Sequence, residues 1–326
     1  MTELTVKEEL IRLFEHNRGS YLSGAEIADK LGCTRGAVWK AVKNLQNEGY
    51  TISAVTNKGY CLEAADVLSA AGIEKYLDEG CGAKLTVYKE TDSTNIRLRE
   101  LAAEGAEEGT VVAAGMQTKG RGRLGRSFFS PSDTGLYLSI LIRPDMTAAD
   151  AVRITTAAAV AVAEAAEEVS GRRVDIKWVN DVYMEDRKIC GILTEASFSL
   201  ESGGLDYAVC GIGINVCRPE GGFPEEIKDI AGEVLKTPVE DARNRMAGLV
   251  ISKFMKYYRS LGENTFLKGY RQRLIWRGED INLIRGSETV PAKLIDVDEQ
   301  CRLLVEYPDG SRGTISSGEI SIRRRK

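Results

Sequence analysis

Between Lys119 and Pro131 the sequence runs Lys-Gly-Arg-Gly-Arg-Leu-Gly-Arg-Ser-Phe-Phe-Ser-Pro, so that four cations alternate with three glycines before an aromatic pair. Arginine offers a planar fork of donors matched to carboxylate and phosphate, and glycine lets the backbone approach a ligand closely. The composition predicts an anion-gathering loop that repels itself until an anion with apolar parts neutralises it and covers Phe128 and Phe129. Gly120, Gly122 and Gly125 satisfy G-x-G-x-x-G after a strand-like Thr110–Ala114, but Ser-Phe-Phe-Ser-Pro follows where a dinucleotide fold opens a helix. A Walker loop is excluded too, because Arg121-Gly122 stands where Lys-Ser/Thr is required.

A second set of chemistry-bearing residues lies downstream. Lys177-Trp178-Val179-Asn180-Asp181 ends one strand pattern on a cation and a polar turn, and Lys188 begins another that contains Gly191 and Ile192. Strand-edge lysines are normally solvated. Here two of them bracket a hairpin within apolar strands, beside a glycine that leaves room for a ligand. Gly211-Ile-Gly-Ile-Asn215 adds an apolar, glycine-spaced strand with one amide, and Ser93, Thr94 and Asn95 precede a helical pattern. Hydroxyl and amide side chains at a helix start are ordinarily caps, and that reading stands beside the functional one.

The elements that must hold these residues follow from periodicity. Leu85–Tyr88, Gly135–Ile142 and Val174–Trp178 read as strands, Ile96–Glu104 and the alanine-rich Ala148–Val169 as helices. After a helical stretch over Ala242–Arg273, four short strands at 280–284, 289–297, 302–307 and 313–316 alternate with turn residues, as in a small barrel. At the other end, Val6, Leu10, Leu13 and Phe14 mark one amphipathic helix. Ser23 opens a capping box for a second, with Ala25, Ile27, Ala28 and Leu31 on its inner side, and Thr34 caps a third. The third helix turns Arg35, Gly36, Trp39, Lys40, Lys43 and Asn44 outward with no acid among them. Two β-rich segments then flank Thr56-Asn57-Lys58-Gly59, which makes the unit a winged helix-turn-helix with Lys58 at the wing tip. Winged helices also serve as protein-interaction modules, and eight Lys/Arg against seven Asp/Glu in residues 1–62 weaken a purely electrostatic attraction to DNA.

The 326 residues, 43% of them hydrophobic, allow two or three domains, and a net charge of -4 argues against a general polyanion-coating protein. Seven scattered cysteines without a C-x-x-C pair point to reduced, packed thiols in a cytoplasmic protein. A single histidine, His16, supports neither a zinc site nor a histidine-based triad. The acidic N-terminus is unlike a signal peptide, and Ala157–Ala163 is too short to span a bilayer, so no membrane partner is expected.

Taken in order, Ser93-Thr94-Asn95, Gly120–Arg126, Lys177–Asp181, Asp186–Leu193 and Gly211–Asn215 resemble the successive signatures of biotin protein ligases. With the winged helix, the whole chain resembles the bifunctional kind that also represses the biotin operon. The resemblance implies an α+β protein: a winged helix over 1–65, a mixed-sheet, class II synthetase-like catalytic domain over 66–275, and an SH3-like domain over 276–326. It implies ATP, Mg²⁺ and biotin as reactants, biotinyl-5′-adenylate as intermediate, and transfer to a lysine of a biotin carboxyl carrier domain. It further implies operator DNA as a partner and a homodimer that forms on binding the adenylate.

By the same resemblance Ser93, Thr94, Gln117, Arg121, Gly122, Arg123 and Lys188 are expected to contact biotin or its activated carboxyl, and Asn95 and Gly120 to belong to the substrate-binding site. Arg123 and Lys188 would stabilise developing charge, Lys177, Asn180 and Asp181 would place phosphate and Mg²⁺, and Asn215 would read adenine. Phe128 would cover the adenylate, with Gly191 and Ile192 in the pocket wall. Ser23, Thr34 and the outward face of the third helix would meet DNA together with Lys58. Three residues depart from the family pattern: Leu124 replaces a frequent cation, Phe128 a frequent tryptophan, and Val179 a frequent proline. The competing readings are a lipoate-type ligase, which shares the adenylate chemistry, and a DNA-binding sensor of a small anion that catalyses nothing.

Overall fold

A computed structural model describes residues 4–63, 66–198, 204–316 and 320–324. The chain divides into two units, residues 1–77 with 238–248, and residues 78–237 with 249–326.

In the first unit, α1 (Val6–His16), α2 (Gly24–Lys30) and α3 (Arg35–Asn47) precede the hairpin of β1 (Ile52–Val55) and β2 (Gly59–Leu62), followed by α4 (Ala70–Glu74). Thr5 and Ser23 each complete a capping box, and Thr34 accepts from the Ala37 amide, so all three expected helices start on side-chain caps. Leu10, Phe14, Ile27, Val38, Leu45 and Leu62 share one core. Ala25, expected on the inner side, is exposed, because it lies on the face of α2 opposite Ile27. The wing turns through Asn57 and Gly59, both at positive φ, and an added Cβ at Gly59 would lie 2.1 Å from the Leu22 carbonyl. Glycine there lets the wing approach the segment before α2.

The second unit contains β3 (Lys84–Tyr88), α5 (Thr94–Ala103), β4 (Thr110–Ala114), β5 (Gly135–Ile142), α6 (Val152–Ser170), β6 (Asp175–Lys177), β7 (Asp181–Met184), β8 (Arg187–Phe198) and β9 (Leu205–Asn215). These strands form a seven-stranded mixed sheet in the order β3-β4-β5-β9-β8-β7-β6, with only β3 and β4 parallel. Every residue of β5 is buried, as its unbroken apolar run requires of a central strand. The small side chains of Ala157, Ala158, Ala161 and Ala165 bring α6 close to β6–β9, and Leu98 and Ala102 of α5 pack on Val112, Leu141 and Val209. β7 and β8 are joined by Glu185-Asp186, both at positive φ, the backbone that a two-residue hairpin demands.

The expected helical stretch over 242–273 is two helices, α7 (Ala242–Arg259) and α8 (Leu267–Arg273), with a short 3-10 turn between them. Residues of α7 up to Gly248 belong to the first unit. The chain then forms β10 (Asp280–Arg285), β11 (Glu288–Val297), β12 (Leu303–Glu306), β13 (Arg312–Ile315) and β14 (Ile320–Arg324), an antiparallel sheet in the order β13-β12-β11-β10-β14. β14 adds a strand that the four-strand reading lacks. Its alternating Ile320-Ser321-Ile322-Arg323 is only four residues long, the lower limit for a strand pattern.

Candidate active site

The site grows from the start of α5. Ser93 occupies the N-cap and is buried, yet its side chain makes no capping hydrogen bond. The first amide of the helix, at Thr94, is instead satisfied by Gln117 Oε1 at 2.9 Å, which also accepts from the Thr94 hydroxyl at 3.2 Å. A side chain 23 positions away thus does the capping and leaves the Ser93 hydroxyl for another partner. Asn95 is fully engaged: its Oδ1 accepts from Ser139 Oγ at 2.6 Å, and its Nδ2 donates to Leu193 O and Glu195 Oε2.

The basic segment is a small hairpin. Arg121 pairs with Ser127, the Gly122 amide donates to Arg126 O at 2.7 Å, and the Phe128 amide donates to Gly120 O at 2.9 Å. At its tip Leu124 adopts a left-handed conformation (φ 57°) and is 59% exposed. Arg123 turns inward and donates to Asn180 Oδ1 at 3.0 Å. Asn180 is itself fixed on β8, donating Nδ2 to Ile192 O and accepting at its carbonyl from the Ile192 amide.

Opposite the loop, the hairpins of β6, β7 and β8 bring three charged groups together. Lys177 and Asp181 are cross-strand partners, and Asp181 in turn faces Gly191. Lys188 Nζ lies 2.5 Å from Asp181 Oδ1, an approach that lacks hydrogen-bond geometry and leaves this buried oxygen without a donor. Lys177 Nζ lies 5.4 Å from the Trp276 ring centroid and 5.8 Å from that of Tyr183. Burial holds the Lys177 ammonium below the usual lysine pKa despite the attraction of Asp181, with Lys188 opposing the charge as well. Burial likewise lowers Arg123, again against Asp181.

Between these walls Gly191 and Gly213, directly paired across β8 and β9, leave a trough. Phe128 lies in it: a Cβ added at Gly213 would come 2.6 Å from its ring, and one at Gly191 3.2 Å. A Cβ at Gly211 would come 2.0 Å from Asn95 Oδ1. These glycines are where side chains from α5 and the loop press on the sheet.

The resulting cavity, about 570 Å³, is lined by Ser93, Thr94, Asn95, Gln117, Arg121, Gly122, Arg123 and Phe128 on one side. Lys177, Asn180, Asp181, Lys188, Gly191 and Ile192 line the other. Two expected site residues lie outside this lining. Gly120 lies at the loop base, where an added Cβ would come 2.4 Å from Phe128 O, and Asn215 ends β9 with Nδ2 donating to Gly232 O at 3.0 Å. The lining also includes residues that the motifs did not single out as contacts, among them Arg126, Tyr183, Ile230, Ile322 and Arg323. Arg126 was visible as the last cation of the loop. Arg323 arrives on β14, and its charge also bears on Lys177. No local pattern connects it to a site more than a hundred residues earlier.

In the first unit, Arg35, Gly36, Trp39, Lys40, Lys43 and Asn44 are all exposed along α3, with Trp39 at 56%. Ser23 and Thr34 spend their hydroxyls on caps. Lys58 at the wing tip lies 5.7 Å from the Tyr21 ring centroid.

Three family models match: an HTH domain over residues 6–61, the biotin/lipoate A/B protein ligase family over 87–215, and the biotin protein ligase C terminal domain over 278–323. The chain is 35% identical to the bifunctional ligase/repressor BirA of Bacillus subtilis, covering 98% of this chain and 99% of that one. It is 30% identical to the protein of the same name from Escherichia coli, at 99% coverage of both. Among solved structures, the biotin protein ligase of Aquifex aeolicus in complex with biotin and ATP superposes with a TM-score of 0.62 at 32% identity, over 74% of this chain and 99% of that one. The chain belongs to the biotin protein ligase family.

Proposed function

We propose that the protein directs the carboxylate of biotin onto the α-phosphate of ATP, releasing pyrophosphate and forming biotinyl-5′-adenylate, and then lets a lysine amine of a biotin carboxyl carrier domain attack the acyl carbon, forming the amide and releasing AMP. The observation that carries this reading is the convergence of Arg123, Lys177 and Lys188 on one cavity around Asp181. The reaction brings a carboxylate against an α-phosphate, two anions that repel. Fixed cations in a partly desolvated cavity act where charge develops, and no protein nucleophile is needed. Arg123, held by Asn180, and Lys188, held beside Asp181, take the biotin carboxyl and the adjoining phosphate oxygens. Lys177 faces the polyphosphate from the far wall. The Ser93 hydroxyl, with Thr94 and Gln117, orients the biotin head group, while Gly191, Ile192 and Phe128 exclude water from a hydrolysable adenylate.

Asp181 suits Mg²⁺, because its Oδ1 is buried without a hydrogen-bond donor, and one carboxylate supplemented by phosphate oxygens is a common Mg²⁺ arrangement. Bound there beside Asn180, the ion would neutralise phosphate charge.

The first unit serves operator DNA, with α3 and the wing presenting Arg35, Trp39, Lys40, Lys43, Asn44 and Lys58. Adenylate binding favours a homodimer that reads two half-sites. Functional domains over 1–65, 66–275 and 276–326 contain the three matched segments. Seven free cysteines suit a cytoplasmic setting, and among the described residues no helix is long and apolar enough to cross a membrane.

Incubation with ATP, Mg²⁺ and labelled biotin should yield an acid-labile adenylate that passes its label to an acceptor domain. Adenylate formed with lipoate and not with biotin would make the chain a lipoate ligase; none with either would leave an anion sensor.

A further inference from the structure

The geometry points to Glu195 as a positioning residue for the basic loop, an inference that rests on the ligase reading above. Glu195 lies on β8 with its side chain 20% exposed. Its Oε2 accepts from Asn95 Nδ2 at 2.8 Å. Its Oε1 accepts from Arg121 Nη1 at 3.2 Å and lies 3.5 Å from Arg99 Nη1. One carboxylate therefore ties three parts of the molecule together: the sheet, the first turn of α5 and the first arginine of the loop.

The loop needs such a tie. Arg121 stands between Gly120 and Gly122, two residues without side-chain restraint on the backbone, and Lys119, Arg123 and Arg126 repel it. Cross-strand pairing of Arg121 with Ser127 makes the two sides of the loop move together, so holding Arg121 also holds the turn that carries Arg123 toward Asn180. Glu195 stands outside the cavity lining and acts through Arg121, which belongs to it. An isolated surface ion pair contributes little, and Arg121 is 46% exposed. The anchor is stronger than such a pair because the carboxylate is itself fixed by Asn95, whose Oδ1 is held by Ser139.

The test uses the full-length protein in four forms, wild type, Glu195→Gln, Arg121→Ala and the double variant, each loaded with biotinyl-adenylate and chased for its release. Glutamine keeps an acceptor for Asn95 and removes the charge that holds Arg121. Glu195→Gln should release adenylate about fivefold faster, and should add nothing in the Arg121→Ala background, because residues acting as one unit are not additive. Arg99→Ala, on an exposed arm of the same cluster, should release no faster than wild type and serves as a second variant should Glu195→Gln fold poorly. Wild-type release from Glu195→Gln, factors that multiply in the double variant, or acceleration by Arg99→Ala would each overturn the inference. A wild type that forms no adenylate removes the ligase reading and this inference with it.

Discussion

Lys188 and Asp181 form a close charged pair at the cavity wall, where Asp181 also attracts Lys177 and Arg123. Replacing Lys188 with methionine deprives Asp181 Oδ1, a buried oxygen that already lacks a hydrogen-bond donor, of its ion-pair partner, and in the proposed reaction it removes a charge that faces the biotin carboxyl. Adenylate formation should fall by roughly 10²–10³-fold, the scale of deleting one preorganised donor, and single-turnover kinetics would reveal it. Lys177 makes the opposite kind of prediction. Its ammonium is held below the ordinary lysine value of 10.5 chiefly by burial, so the unfolded chain binds that proton more tightly. The folded state is therefore penalised at every pH below the depressed pKa, and the penalty fades as pH rises through the window up to 10.5. Lys177→Met should stabilise the fold at neutral pH while impairing adenylation, and its advantage in urea denaturation should shrink at about pH 10. An advantage that does not change with pH would mean that the buried charge is not its source.

The paired strands β8 and β9 make the trough possible, and their glycines are sensitive in proportion to what faces them. At Gly211 the intruding neighbour is Asn95, locked on both ends of its amide, so Gly211→Ala must break those hydrogen bonds or move α5. A destabilisation of about 1–3 kcal/mol by chemical denaturation is expected. At Gly213 the nearest atoms belong to the Phe128 ring, a loop side chain with no hydrogen bonds to break, so Gly213→Ala should cost less stability and accelerate adenylate loss. The loop tip carries the other element-level test. Leu124→Arg keeps the exposed left-handed backbone and restores a fifth cation, and should slow adenylate dissociation; equal rates would show that the tip does not retain the intermediate. Much of this site was legible because its residues recur at fixed spacings on strands and turns. The loop, Lys177–Asp181 and Lys188–Ile192 could each be read from local pattern and resemblance. What escaped depends on contacts between distant segments. Gln117 rather than Ser93 caps α5, Tyr183 and Trp276 flank Lys177, and β14 delivers Arg323, and none of these is encoded within a window of sequence.

At the scale of the whole chain, one protein carries an exposed basic helix in its first unit and a cavity lined by lysines and arginines in its second. If the adenylate favours the dimer and the dimer binds DNA, the two sites are linked thermodynamically. Linkage is reciprocal: the factor by which adenylate tightens DNA binding must equal the factor by which DNA tightens adenylate binding. The two halves of the coupling can be separated by charge. Arg35→Ala, Lys40→Ala and Lys43→Ala together strip three exposed cations from α3 without touching its buried face of Val38, Ala41, Val42 and Leu45. That variant should biotinylate an acceptor domain at the wild-type rate. Its DNA affinity should fall and its salt dependence flatten by about one logarithmic slope unit for each phosphate that it no longer neutralises. With a duplex selected by the protein from random sequence, wild-type affinity for a non-hydrolysable adenylate analogue should rise by about 5–150-fold when the duplex is saturating, and the α3 variant should show no such rise. An unchanged analogue affinity in the wild type, with the duplex bound, would establish that DNA recognition and ligation share a chain without sharing a free energy.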